Sequence, residues 1–136
     1  MRNRRPSKSG GTGSSRNGTE ILVAIRSAVA GASLENVCLI VGDVPHAPSG
    51  TAVIEPGHTS SMIELPPEIA GIKCAVYFEL SMGDHRIPLL TDPIFDFGPG
   101  AICVLTISDH TPAHSPPIEI EGAVARLMRD RASDLK

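Results

Sequence analysis

The chain has 136 residues and a formal net charge of −3, and 41% of its residues are hydrophobic but only 3% aromatic. This length predicts one domain, whose core must be built from aliphatic side chains. With no Trp and one Tyr, the composition argues against surfaces that stack bases or sugars on aromatic rings. No apolar run approaches the roughly 20 residues that cross a bilayer, so we expect no membrane span.

The N-terminal segment differs sharply in charge from the rest of the chain. Residues 20 to 122 contain thirteen acidic side chains against only Arg26, Lys73 and Arg86. Residues 1 to 18 contain no acidic residue and five basic ones, namely Arg2, Arg4, Arg5, Lys8 and Arg16. This polar segment cannot bury enough apolar surface to order, so we predict a disordered basic arm that binds a polyanion or an acidic partner. Nucleic acid would bind through the arm alone, because the body is acidic.

Residues 20 to 30 carry two overlapping patterns. Thr19 could cap a helix and Gly31 could end it. The apolar residues on one helical face are Ile21, Leu22, Ile25 and Val29. Alternate positions from Ile21 to Ile25 also fit a strand. We favour the helix because both end signals agree with the apolar spacing, and the strand is the open alternative.

From residue 37 onward, short apolar runs alternate with Gly and Pro turn signals, which predicts strands. The clearest strand is 72–80, where a period of two predicts a buried face with Phe78 and an opposite face with Tyr77. Pro88 and Pro93 predict edge strands, because proline cannot donate to a ladder. The other predicted strands are 37–41, 51–55, 60–65, 86–90, 93–97, 101–108 and a short piece at 118–120.

Seven or eight short strands predict a mainly β fold, an antiparallel β-sandwich or a jelly-roll-like small barrel. No segment between residues 37 and 118 has the length and period of a crossover helix. One helical stripe follows, formed by Ile120, Val124, Leu127, Met128 and Leu135. We therefore expect a disordered arm at 1–18, a β-sandwich domain at 19–122 and a C-terminal amphipathic helix at 123–136.

Cys38, Cys74 and Cys103 each lie in an apolar run. An odd number without CxxC spacing argues against a disulfide framework or a zinc knuckle. We predict three free, buried thiols, which fits a cytoplasmic or intracellular location. Secretion is the weaker alternative, because small residues around Ala28 have the spacing of a signal-peptide cleavage site.

The histidines lie in predicted loops. If each strand crosses the domain once, alternate loops share an end, and the loop with His46 lies beside the loop with His110 and His114. Asp43 and Asp109 flank these histidines in sequence. Imidazole and carboxylate groups bind zinc and similar divalent metals. This predicts a metal site formed by Asp43, His46, His110 and His114, although no nucleophile motif accompanies it.

Two functional hypotheses follow. A basic arm before an antiparallel β body resembles the general layout of small viral or phage shell subunits, although no motif is shared. The first hypothesis is therefore a non-enzymatic interaction or assembly module, a structural subunit of a larger complex or shell. It expects a protein partner or self-association and no cofactor. The alternative is a small metal-binding or hydrolase-type domain that uses the loop His and Asp residues with a divalent metal such as zinc.

Overall fold

The computed structural model describes residues 20–50 and 53–134. Within them the chain forms eight strands, a short 3₁₀-helix at Pro67–Ile69 and one α-helix. The strands are β1 (Ile21–Ala28), β2 (Ser33–Val41), β3 (Val44–His46), β4 (Val53–Ile54), β5 (Ile63–Leu65), β6 (Cys74–Met82), β7 (His85–Leu90) and β8 (Ile102–Ser108), and the helix is α1 (Ile118–Asp134). The predicted mainly β class with a C-terminal helix is confirmed, and the architecture is that of a small β-sandwich.

The strands are divided between two sheets. The smaller sheet has the order β5-β1-β8, and the larger has the order β3-β2-β6-β7 with β4 also paired to β2. All pairs are antiparallel except β1 with β8, which are parallel. A parallel pair cannot be joined by a tight hairpin. Between β1 and β8 the chain crosses to the larger sheet and returns twice, and β5 joins the smaller sheet between the two excursions.

The two sheets face each other across an aliphatic core. Because side chains alternate along a strand, each strand contributes every second residue to this core. The largest fully buried side chains include Ile21, Ile25, Leu34, Leu39, Ile63, Leu65 and Ile107. Phe78 and Phe97 are the aromatic residues buried among them. The aliphatic core predicted from the composition is therefore present.

A second apolar layer lies on the outer face of the larger sheet. There α1 places Ile120 and Val124 against strand residues that point away from the main core. These strand residues are Cys38, Ile40, Ala75 and Tyr77. Strand β6 is consequently buried on both faces. The prediction that Tyr77 lies on a solvent-facing side is wrong, because only 3% of this residue is exposed.

A bulge in β2 allows the strand to contribute to both layers. Glu35 pairs with Glu79 and Cys38 pairs with Tyr77, so two residues of β2 stand opposite one of β6. Asn36, inside the bulge, has a φ of 52°, and Asn tolerates this left-handed conformation better than most residues. Before the bulge the even-numbered residues of β2 face the core, and after the bulge the odd-numbered residues do.

Several sequence-based expectations need correction. The helix favoured for residues 20 to 30 is wrong: the segment is β1, because β5 and β8 both supply backbone partners there. Residues 93–97 form only an isolated bridge between Cys74 and Phe95. Residues 118–120 are not a strand but the first turn of α1, which begins before the expected boundary at residue 123. Pro88 does lie in an edge strand, as predicted.

Candidate interaction surface

Strand β8 lies at the edge of the smaller sheet. Leu22 of β1 is paired in parallel with Ile102, and the Leu22 N–H donates to the Ala101 carbonyl over 2.9 Å. Backbone groups point alternately to the two sides of a strand. The N–H and C=O groups of Ile102, Val104 and Thr106 therefore point away from β1. In the described part of the chain they have no hydrogen-bond partner. We call this side of the strand the β8 edge.

The outer face beside this edge is apolar. Ile102 is 62% exposed and Val104 is 50% exposed, while the neighbouring Leu22 is half-buried. We call these three residues the outer patch. The exposed Glu64, paired with Leu22, and the exposed Arg26, paired with Thr106, border it. No described helix or strand covers the outer patch. An apolar centre with a charged border is typical of a protein–protein contact.

The other sheet edges carry features that prevent pairing with another chain. Strand β7 contains Pro88 and the charged Arg86, and β3 is three residues long with Pro45 at its centre. Strand β5 is also three residues long and is followed by Pro66. Short strands, prolines and charges are the usual protection of an exposed edge. Strand β8 has seven residues with no proline and no charge.

A polar cluster lies in a groove of about 530 Å³ between α1 and the larger sheet. The Asn36 amide donates to Glu79 over 2.9 Å, and the Tyr77 hydroxyl donates to the other Glu79 oxygen. Arg86 pairs with Glu35 at 2.9 Å and lies 3.7 Å from Glu79. Burial, and then the hydrogen bond to Glu79, raise the pKa of Tyr77. Because these groups satisfy one another, the cluster stabilises the bulge.

The predicted metal ligands His46 and His114 lie at opposite edges of the larger sheet. His46 ends β3 and pairs with Leu39, which pairs with Val76 of β6. His114 forms a bridge with Leu90, on the far side of β7. Four strand spacings of roughly 4.8 Å therefore separate the two histidines by about 19 Å. This distance is far too large for two ligands of one metal ion.

The other two predicted ligands are also apart. Asp43 lies in the turn after β2, next to the start of β6, where Val41 pairs with Cys74. His110 follows Asp109, which lines a small cleft with Leu80 near the opposite end of β6. Among the described residues, no three His, Cys, Asp or Glu side chains form a group that could hold a metal. The predicted loop arrangement required an up-and-down path, and the parallel β1/β8 pair departs from it.

His114 has a different partner, which the sequence did not indicate. Its Nε2 atom lies 3.0 Å from Oδ1 of Asp92, and its Nδ1 atom lies 3.2 Å from the Ser115 carbonyl oxygen. The Ser115 carbonyl and then Asp92 raise the pKa of the His114 imidazole. Burial lowers the pKa of His46. The backbone bridge between Leu90 and His114 brings the His114 imidazole to Asp92. No local sequence motif predicts this pair, because the two residues are far apart in sequence.

The three cysteines are free, as predicted, but they are not equally buried. Cys38 and Cys74 are fully buried, whereas Cys103 is only half-buried on β8. Burial raises the pKa of Cys38 to about 12 and also raises the pKa values of Cys74 and Cys103. Cys103 points toward the core, and its partial exposure follows from the absence of a described strand beyond β8.

The predicted polyanion-binding residues lie outside the described residues; they are Arg2, Arg4, Arg5, Lys8 and Arg16. No helix in the described part of the chain combines the length and the apolar character needed to span a bilayer. The chain matches no model of a known protein family, no curated protein and no solved structure in comparisons with each. Its function must be inferred from its own residues.

Proposed function

We propose that this protein is a non-enzymatic interaction or assembly module, a structural subunit of a larger complex. The observation that supports the proposal is the β8 edge together with the outer patch. An unpaired, uncharged strand edge is a template for another strand, and its backbone groups supply directional hydrogen bonds. The apolar outer patch adds a surface that gains free energy when it is removed from water.

The basic arm is the second component of the proposal. Its five cations act on a polyanion or an acidic partner surface, and the acidic body keeps such a partner away from the sandwich. Few phosphate contacts give weak binding, but several arms brought together in one assembly bind far more tightly. Assembly through the sandwich and polyanion binding through the arm therefore strengthen each other.

The alternative, a metal-binding or hydrolase-type domain, gains no support from the placement of its residues. His46 and His114 lie at opposite sheet edges, and Asp43 and Asp109 lie near opposite ends of β6. A catalytic site needs its groups within hydrogen-bond reach of one substrate.

Sedimentation of the full chain tests the proposal. We expect species larger than the 14.3 kDa monomer, and we expect added heparin, used as a defined polyanion, to enlarge them at low salt. The heparin effect should disappear when residues 1 to 18 are deleted, and it should weaken steeply as salt increases. The matched control is the full chain with Arg126 and Arg129 changed to Gln, which removes basic charge from α1 and leaves the arm intact. A monomer that neither associates nor responds to heparin contradicts the proposal.

A further inference from the structure

We infer that the partner of the β8 edge is the β8 edge of a second copy of this chain, paired antiparallel about a two-fold axis at Val104. This inference rests on the proposed function and specifies its interface. The result is a continuous six-stranded sheet with the order β5-β1-β8-β8-β1-β5. Such an interface is closed, because each copy uses the same surface.

The symmetry of the unpaired backbone groups points to a second copy. The groups available on the β8 edge belong to Ile102, Val104 and Thr106, which are evenly spaced about Val104. A two-fold axis at Val104 places Ile102 opposite Thr106 of the second copy and Val104 opposite itself. Every available N–H then meets a C=O, because all three residues form hydrogen-bonded pairs. The edge of β8 can therefore pair all of its available backbone groups with those of an identical strand.

Ser108 argues against a register shifted toward the C-terminal end of β8. Its N–H donates to the Thr111 hydroxyl over 2.9 Å, and its carbonyl accepts the Thr111 N–H over 3.1 Å. A two-fold axis at Leu105 would pair Ile102 with Ser108 and would break these bonds. The axis at Val104 leaves them intact.

The side chains are compatible with the same arrangement. On the outer face, Val104 meets its own copy and Ile102 meets Thr106, so the outer patches become continuous. On the inner face, the half-buried Cys103 meets Leu105 of the second copy. Strand Ile102–Ser108 has no charged side chain. No like charges therefore oppose each other across the axis.

Disulfide trapping in the full chain tests the register. Cys103→Ser provides the background, and Val104→Cys or Thr106→Cys is added; both sites are exposed on the outer face. The two Cα atoms at position 104 should be about 5.5 Å apart, within the about 4.4 to 6.8 Å that a disulfide bridges. The two Cα atoms at position 106 should be about 14 Å apart. Mild oxidation should yield a covalent dimer with Val104→Cys and none with Thr106→Cys.

A second experiment measures association without added cysteines. The mass of the full chain should rise from 14.3 kDa toward twice that value with concentration. Val104→Lys should abolish the rise, because it places two like charges at the axis. Val104→Pro should do the same by removing the N–H that faces the second copy, while every β1/β8 hydrogen bond stays. An unchanged melting temperature at low concentration shows that each variant is folded.

Four outcomes would overturn the inference. Equal crosslinking at positions 104 and 106 would exclude the register. Association that persists in both Val104 variants, without crosslinking at 104, would place the interface elsewhere and leave the proposed assembly function standing. If the full chain stays monomeric and the chain lacking residues 1 to 18 dimerises through β8, the arm would be the occupant of this edge. A monomeric chain in every form would remove the interface and the self-association together.

Discussion

The two sheets of this sandwich share one core, but their outer faces differ. The larger sheet is covered by α1, so Ile40 is only 3% exposed on its outer face. On the outer face of the smaller sheet Ile102 is 62% exposed, and no described element covers it. The same residue type therefore serves as core in one sheet and as surface in the other. Covering one outer face stabilises the monomer, and the described elements leave the other outer face exposed.

The edges of the two sheets also differ, and the smaller sheet again has the less protected one. The larger sheet ends in β3 and β7, both of which contain a proline. The smaller sheet ends in β8, which is longer than β3 and carries neither proline nor charge. Exposed edges that lack such protection promote association. The smaller sheet therefore combines an apolar outer face with an edge that can pair.

The largest expected effect contrasts one substitution at two sites. Ile40→Ala should lower the free energy of unfolding by about 2 to 5 kcal/mol, because it leaves a cavity beneath α1. Ile102→Ala should change it by less than about 0.5 kcal/mol, because the side chain is in water in the monomer. Urea unfolding at low protein concentration measures both values. A large loss at Ile102 under these conditions would show that the outer patch is already covered within the monomer.

This contrast also shows what the sequence could predict. The apolar run at residues 101–108 and the helical stripe with Ile120 and Val124 are local patterns, and both predicted their elements. Which face of a strand a helix covers is a non-local property, so Tyr77 was expected on the solvent side. The apolar spacing of residues 20 to 30 fits either period, and only the pairing of β1 with two neighbours decides it.

The candidate site was harder to predict for the same reason. The sequence marks residues 101–108 as a strand, but it does not say that this strand is parallel to β1 and has an open side. The predicted metal site depended on the order of the loops around the domain. Since the chain passes four times between the sheets, His46 and His114 are brought to different edges.

Thiol labelling gives a smaller effect that follows the same contrast. Cys103 lies half-buried at the β8 edge, whereas Cys38 lies beneath α1 with a pKa of about 12. At pH 8 the Cys38 thiol is therefore almost entirely protonated, and the thiolate is the reactive form. At low protein concentration, where the chain is monomeric, a maleimide should therefore label Cys103 in the folded protein, and Cys38 only after unfolding. Mass spectrometry of digested protein identifies the labelled residue, with Cys103→Ser as the control. Early labelling of Cys38 would mean that α1 opens readily.

The smallest expected effect is the titration of two histidines on the covered sheet. His46 is partly buried on β3, and His114 is exposed beside Asp92. We expect the pKa of His46 below the ordinary 6.5 and that of His114 above it. Imidazole NMR shifts followed against pH measure both. Asp92→Asn should lower the pKa of His114 only in part, because the Ser115 carbonyl remains.

The two shifts have opposite consequences for stability. The contribution of His114 is complete below pH 6.5 and is lost as the pH rises through its raised folded pKa, because the folded state binds the proton more tightly. The contribution of His46 has the opposite sign, because the folded state binds the proton of this imidazole less tightly than the unfolded state does. The free energy of unfolding therefore falls as the pH drops from 6.5 through the lowered folded pKa of His46. Replacing each histidine with Gln should remove the corresponding pH dependence from the free energy of unfolding. If both histidines titrated on the same side of 6.5, burial of His46 and the Ser115 and Asp92 contacts of His114 would not be what sets their pKa values.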